Sequence, residues 1–202
     1  MRALILVDIQ NDFCSGGALA VPRGEEVVPL ANSLMDDADL VVATQDWHPP
    51  DHGSFATSHP GRQPFALGEL AGLPQVLWPT HCVQWTGGAA FHPGLATQRI
   101  TRVFAKGTDP LIDSYSGFFD NGRRKATGLG EWLRAQGADE LVICGLATDY
   151  CVKATAIDAT SLGFRTTLAA HACRAVGLQP GDSDAALQAM HAAGVVIAGG
   201  KA

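Results

Sequence analysis

Charge is scarce in this 202-residue chain: Asp, Glu, Lys and Arg make up 17% of it, and 14 Lys and Arg face 20 Asp and Glu for a net charge of −6. With no cluster of basic side chains, the sequence argues against a surface for nucleic acid or anionic membrane, and a small molecule is the expected partner. No apolar run approaches the roughly 18 residues of a membrane span. The apolar start at 1–7 meets Asp8 too early for a secretory signal, so the chain reads as cytoplasmic. Cysteines are few and odd in number, at 14, 82, 144, 151 and 173. That count, without a secretory signal, disfavours a disulfide framework and predicts reduced thiols. Repeats, low-complexity tracts and linkers are also missing, which leaves one domain over 1–202 as the expectation for this length.

What the chain has is apolar residue, 47% of the total, enough for a sizeable core. Short apolar runs recur at 3–9, 40–44, 100–105, 141–146, 165–170 and 195–198. Their near-continuous apolarity predicts strands buried on both faces, as in a parallel sheet. Helix-like stretches lie between them at 24–38, 129–136, 149–162 and 181–193, and Gly137, Gly163 and Gly194 fit the C′ position that ends a helix. The alternation predicts an α/β fold of three layers, α/β/α, around a mainly parallel six-stranded sheet. The interval 47–94 is rich in Pro, Gly and His and shows little periodicity. A loop of that length in a compact domain marks function or disorder, and its aromatic and histidine content favours function.

Ligands of open α/β sheets bind beyond the carboxyl ends of the strands, so polar residues there carry most weight. Asp8 follows the first apolar run, Lys106 the third, and Cys151 the fourth, at the front of a helix-like stretch. An acid, a cation and a thiol would meet in one crevice. Lys106 and the helix N-terminus would favour thiolate at Cys151, and Asp8 could take the thiol proton and return it to a leaving group. The structural alternative is an Asp8–Lys106 ion pair with Cys151 as a small buried side chain.

The long loop carries a second constellation. Asp46 and His48 are two residues apart, so an extended backbone points both to one side. With His81 they offer one carboxylate and two imidazoles, a set suited to Zn²⁺, Fe²⁺ or Mn²⁺ without choosing among them. Histidines in loops are otherwise solvated or hydrogen-bonded; His59, His92, His171 and His191 lack such companions and read as structural or surface residues.

Six segments make the chain recognisable: Asp-Ile-Gln-Asn-Asp-Phe at 8–13, Gln-Asp-Trp-His-Pro-Pro-Asp-His at 45–52, Leu-Trp-Pro-Thr-His-Cys-Val at 77–83, Phe-Ala-Lys-Gly at 104–107, Asp-Ser-Tyr-Ser-Gly-Phe-Phe-Asp-Asn at 113–121 and Gly-Leu-Ala-Thr-Asp-Tyr-Cys-Val at 145–152. In this order they resemble the motifs of the bacterial nicotinamidase/pyrazinamidase family, within the isochorismatase-like cysteine hydrolase superfamily. The resemblance implies that superfamily's fold and the catalytic triad Asp8, Lys106 and Cys151. It also implies metal ligands Asp46, His48 and His81, with His52 at a position some members use. A substrate pocket at Phe13, Trp78, Tyr115 and Leu146 follows, with a cis peptide at Leu146–Ala147 and an oxyanion hole from the N–H groups of Ala147 and Cys151. The implied activity is hydrolysis of nicotinamide to nicotinate and ammonia through a thioester, for NAD salvage, with pyrazinamide as a second substrate and one divalent ion, zinc first among the three, as cofactor.

Two other readings use the same residues. A superfamily hydrolase acting on a carbamoyl or ureido compound would need the triad but not Asp46, His48 and His81. A non-catalytic metal-binding or thiol-sensing relative would keep the sheet and lose a triad member, and none is missing. The sequence leaves open whether the protein is a monomer or a homo-oligomer.

Overall fold

The structure, a computed structural model, describes residues 1–199. All six apolar runs are strands of one sheet: β1 (Arg2–Val7), β2 (Leu40–Asp46), β5 (Arg102–Lys106), β6 (Glu140–Leu146), β7 (Arg165–Arg174) and β8 (Val196–Ala198). Their order is β5-β2-β1-β6-β7-β8, and every pairing is parallel. The helices are α1 (Val27–Leu34), α2 (Leu129–Ala135), α3 (Lys153–Ser161) and α4 (Asp182–Ala192), with a π-helical turn at Thr148–Val152 leading into α3. Right-handed crossovers put α1 on one face of the sheet and α2, α3 and α4 on the other. Accordingly α1 packs on β6 and β7, while α3 packs on β7 and α4. The three-layer architecture follows from the sequence pattern, since a strand covered on both faces must be apolar on both.

Ala3, Leu4, Ile5, Leu6 and Val7 of the central β1 are at most 1% exposed. Each large side chain buried in this way contributes about 1.5–3 kcal/mol relative to exposure. Helix ends obey the expected chemistry: Gly137, Gly163 and Gly194 follow α2, α3 and α4 with φ of 80°, 88° and 92°. Among the described residues no helix is long and apolar enough to cross a membrane.

The interval 47–94 is not wholly irregular, contrary to expectation. It contains an antiparallel hairpin of β3 (Leu67–Leu70) and β4 (Leu73–Val76). The two-residue turn is Ala71-Gly72, with φ of 56° and 78°, so an alanine occupies a left-handed position where Asn, Asp or Gly would announce the turn. The sheet also runs further than expected in β7, which continues to Arg174.

Candidate active site

Parallel strands deliver their last residues to one edge, and here four adjacent strands do so. Asp46 and Lys106, the final residues of β2 and β5, are register partners. Asp8 follows β1 with φ 49°. Cys151 follows β6 by way of Ala147 and the π-helical turn, in which the Ala147 carbonyl accepts the N–H groups of Tyr150 and Val152. The approach to that turn depends on Gly145, at a register shift between β6 and β7. Its φ is 125°, and a Cβ there would lie 2.1 Å from the Val7 carbonyl oxygen, so only glycine fits. The Leu146–Ala147 peptide is cis, as the resemblance implied.

The three triad candidates meet. Lys106 Nζ lies 2.9 Å from Asp8 Oδ2, 2.5 Å from Asp46 Oδ1, 3.0 Å from the Ser114 carbonyl oxygen and 3.3 Å from Cys151 Sγ. All four side chains are buried, Asp8 completely. The ammonium has three N–H donors, and Asp46, Ser114 and Cys151 accept them. Asp8 Oδ1 accepts from Thr44 Oγ1 at 2.6 Å. Asp8 Oδ2 is thus paired by charge alone and receives no hydrogen bond from the described residues, which leaves a lone pair free beside the thiol.

Burial opposes every charge here, and the balance differs for each group. Burial raises Asp8 by more than Lys106 lowers it. Burial also acts on Asp46, but Lys106 and His48 outweigh it and hold this carboxyl well below the usual range. Burial would lower Lys106, yet Asp46 and Asp8 hold it charged, well above its ordinary value. At Cys151 burial wins over Lys106, and the thiol is pushed well above its ordinary value. Burial thus opposes the thiolate that Lys106 favours, a balance the sequence left open. One ammonium already faces two carboxylates, and a buried third anion is unfavourable. Cys151 stands at the front of a helix as expected, in a π-helical turn that runs directly into α3.

Asp46 belongs to a second cluster through its other oxygen. Oδ2 lies 3.5 Å from His48 Nε2 and 3.7 Å from His81 Nε2. Both Nδ1 atoms are engaged by carbonyls, His48 by Gly107 at 2.8 Å and His81 by Pro79 at 2.7 Å. This fixes the rings with Nε2 toward the carboxylate, the orientation a metal ligand needs. Gly107 has φ 62°, and a Cβ there would stand 2.4 Å from His48 Cε1, so the position admits the ring only as glycine. The His52 ring lies 4.3 Å from that of His48 between centroids, inclined by 45°. Its Nδ1 meets Ser54 Oγ at 2.7 Å, while its buried Nε2 has no partner among the described residues. The ligand atoms of Asp46, His48 and His81 lie within 4.8 Å of one another, a carboxylate and two oriented imidazoles that fit a divalent ion, while His52 groups with His48 and Asp113. Burial and then His48 lower His52 to about 4, so it is neutral and able to ligate at pH 7.

A cavity opens onto both clusters, lined by Phe13, Trp78, Tyr115, Ala147, Cys151 and the metal-site side chains. Leu146, expected there, does not line it. Its side chain is fully buried in the core at the end of β6, and the next residue, Ala147, takes its place at the wall. Sequence reasoning missed Tyr150, whose ring stands 4.8 Å from Trp78 at 85°, and Asp113, Leu19 and Val176. Tyr150 adjoins the nucleophile candidate, which was the available signal. Gln10 was also missed: its amide accepts Asp46 N–H and donates to Asp46 O, both at 2.8 Å, fixing the backbone of the shared carboxylate. Of the remaining histidines, His59 bonds the Gly53 carbonyl and His92 accepts Gly94 N–H, while His171 and His191 are exposed. The five cysteines are free and buried.

The isochorismatase domain profile matches residues 2–201. The chain is 54% identical over 200 residues to a nicotinamidase of Escherichia coli, covering 97% of this chain and 93% of that one. It is similar in structure to a nicotinamidase/pyrazinamidase of Acinetobacter baumannii, with a TM-score of 0.94, 43% identity and coverage of 97% and 94%. A pyrazinamidase of Pyrococcus horikoshii in complex with zinc matches with a TM-score of 0.77, 38% identity and 97% of each chain. The chain belongs to the isochorismatase domain family.

Proposed function

We propose that this protein hydrolyses nicotinamide to nicotinate and ammonia, accepts pyrazinamide as well, and works as a single catalytic domain in the cytoplasm, in NAD salvage. The observation that carries this reading is the buried Cys151 thiol, 3.3 Å from Lys106 Nζ and beside the Asp8 Oδ2 lone pair, in the wall of an aromatic-lined cavity. The 54% identity to a nicotinamidase supports the substrate. Carbamoyl or ureido substrates would give the Asp46, His48 and His81 cluster no task.

The pyridine ring packs between Phe13, Trp78 and Tyr115. Cys151 Sγ passes its proton to Asp8 Oδ2 and bonds to the carboxamide carbon. The developing oxyanion turns toward the N–H groups of Ala147 and Cys151. Asp8 returns the proton to the leaving nitrogen, the C–N bond breaks, and ammonia departs from a thioester. A water then gives its proton to Asp8 and its oxygen to the acyl carbon. Nicotinate leaves, and the sulfur recovers the proton. Lys106 keeps its charge throughout and favours the anionic forms of its neighbours.

Asp46, His48 and His81 would hold one divalent transition ion, with His52 beside His48 at the position some family members also use. Zinc suits the set, and Fe²⁺ and Mn²⁺ share its donor types. When bound, the ion supplies a Lewis-acidic point that orients the ring nitrogen, directly or through water. Ammonia release from nicotinamide tests the reading in three samples: purified protein, Cys151→Ala, and chelator-treated protein with metal restored. Activity lost in the second and in the stripped third, then regained with metal, is the expected result. No ammonia from the intact, metal-loaded protein would overturn the substrate.

A further inference from the structure

His81 reaches the metal cluster from a loop rather than from a sheet strand, so something outside the sheet must hold it there. Its ring is oriented by the Pro79 carbonyl oxygen, 2.7 Å from Nδ1. The next residue, Cys82, is fully buried and has φ 45°, a strained left-handed conformation for a residue other than glycine that persists only where its surroundings impose it. Asp12 supplies that constraint, because its Oδ2 accepts the Cys82 N–H at 2.7 Å. Asp12 is itself held from three sides. Its other oxygen accepts Ala18 N–H at 3.1 Å, its N–H donates to the Gly88 carbonyl at 3.0 Å, and its carbonyl accepts Leu19 N–H at 2.9 Å. Gly88 leaves the space that the carboxylate fills, since a Cβ there would lie 2.1 Å from Asp12 Oδ2. His48 has its own anchors: Trp47 N–H on the Lys106 carbonyl, Gln84 N–H on the His48 carbonyl, and the Gly107 carbonyl on its ring. The His48 N–H also meets the Cys82 carbonyl at 3.0 Å, through the peptide after Cys82 and not the one that Asp12 holds.

We infer that Asp12 is a positioning residue for the metal centre: its carboxylate fixes the His81–Cys82 peptide and thereby aims His81 Nε2 at the point that Asp46 and His48 define. Asp12 contributes no ligand atom to that cluster. Its effect is geometric, carried by one hydrogen bond to the backbone beside a ligand, and not by its charge. The inference rests on the metal reading of Asp46, His48 and His81. It adds that affinity for the ion depends on a carboxylate outside the coordination sphere, and that this dependence runs through His81 alone.

The test is zinc affinity, by competition with chromophoric chelators, for the parent protein, Asp12→Ala, Gly88→Ala, His81→Ala and each of the first two changes combined with His81→Ala. Thermal melting of the metal-free forms accompanies it. Asp12→Ala is expected to weaken zinc binding by roughly 10-fold, the lower end of the loss that follows removal of a group orienting a metal ligand. Gly88→Ala keeps the charge of Asp12 but pushes the carboxylate off Cys82, so it should weaken zinc to a similar degree. In the His81→Ala background, adding Asp12→Ala should change the affinity by less than about 2-fold, because no imidazole remains there to be aimed. A purely structural role would lower the melting temperature and leave zinc affinity unchanged, or weaken zinc equally with and without His81; either result overturns the inference. A loss in Asp12→Ala with none in Gly88→Ala would reveal an effect of charge at a distance and overturn it as well. If Asp12→Ala does not fold, Gly88→Ala with and without His81 decides by the same comparison. A parent protein that binds no zinc would remove the metal reading and this inference together. A parent that binds zinc no more tightly than Asp12→Ala would remove this inference only.

Discussion

Replacing Lys106 with methionine keeps the length of the side chain and removes the charge between Asp8 and Asp46. Both carboxylates are buried, at 0% and 4% exposure, and lie 2.9 and 2.5 Å from the ammonium. Removing one partner of such a cluster leaves uncompensated buried charge and costs about 3–5 kcal/mol. For a domain of this size that lowers Tm by on the order of 10 °C. Thermal melting of metal-free Lys106→Met against the parent at pH 7 measures it, and Asp8→Asn added to Lys106→Met should recover part of the loss. The sign with pH is also fixed. The folded-state value of Lys106 is raised, so its contribution is complete below the ordinary lysine value near 10.5 and is lost only as pH rises through the higher folded value. A Lys106→Met variant melting within about 2 °C of the parent would refute the reasoning, because it would mean that the carboxylates are not held as buried anions.

Three further outcomes follow from single contacts. Gly107→Ala should push His48 off its carbonyl partner and weaken zinc binding by about 10–100-fold in a competition with a chromophoric chelator, with little loss of secondary structure. Gly145→Ala forces a Cβ against the Val7 carbonyl and should destabilise the fold by several kcal/mol, read as loss of soluble protein or a large fall in Tm. Cys151 in metal-free, ligand-free protein should react with iodoacetamide more slowly at pH 7 than a free cysteine, because burial keeps it a thiol. Alkylation faster than free cysteine would show that a thiolate is present at rest.

The four inner strands were legible because a parallel sheet covered on both faces demands apolar runs; the edge strands β5 and β8, also read as covered on both faces, are largely exposed, with Val103 and Val196 open to solvent. The 67–76 hairpin was not legible. Its strands are largely exposed, Pro74 interrupts one of them, and Ala71 takes a conformation its type does not advertise. Asp8, Lys106, Cys151, Asp46, His48 and His81 were legible as strand-end or closely spaced polar residues, and all six converge. Leu146 was misplaced because a motif names neighbours without saying which one faces the cavity. Cys151's protonation was not legible because it depends on how many anions share one ammonium, and the chain order of Asp8, Asp46 and Lys106 does not reveal that count.

The most direct measurement of the central claim is rapid-quench mass spectrometry of zinc-loaded protein during nicotinamide turnover, followed by digestion. A nicotinoyl group on the peptide containing Cys151, formed and lost on the timescale of turnover and absent from Cys151→Ala, is the predicted result. Turnover that persists in Cys151→Ala with no adduct on any peptide would contradict it, and would mean that water attacks the amide without a thioester.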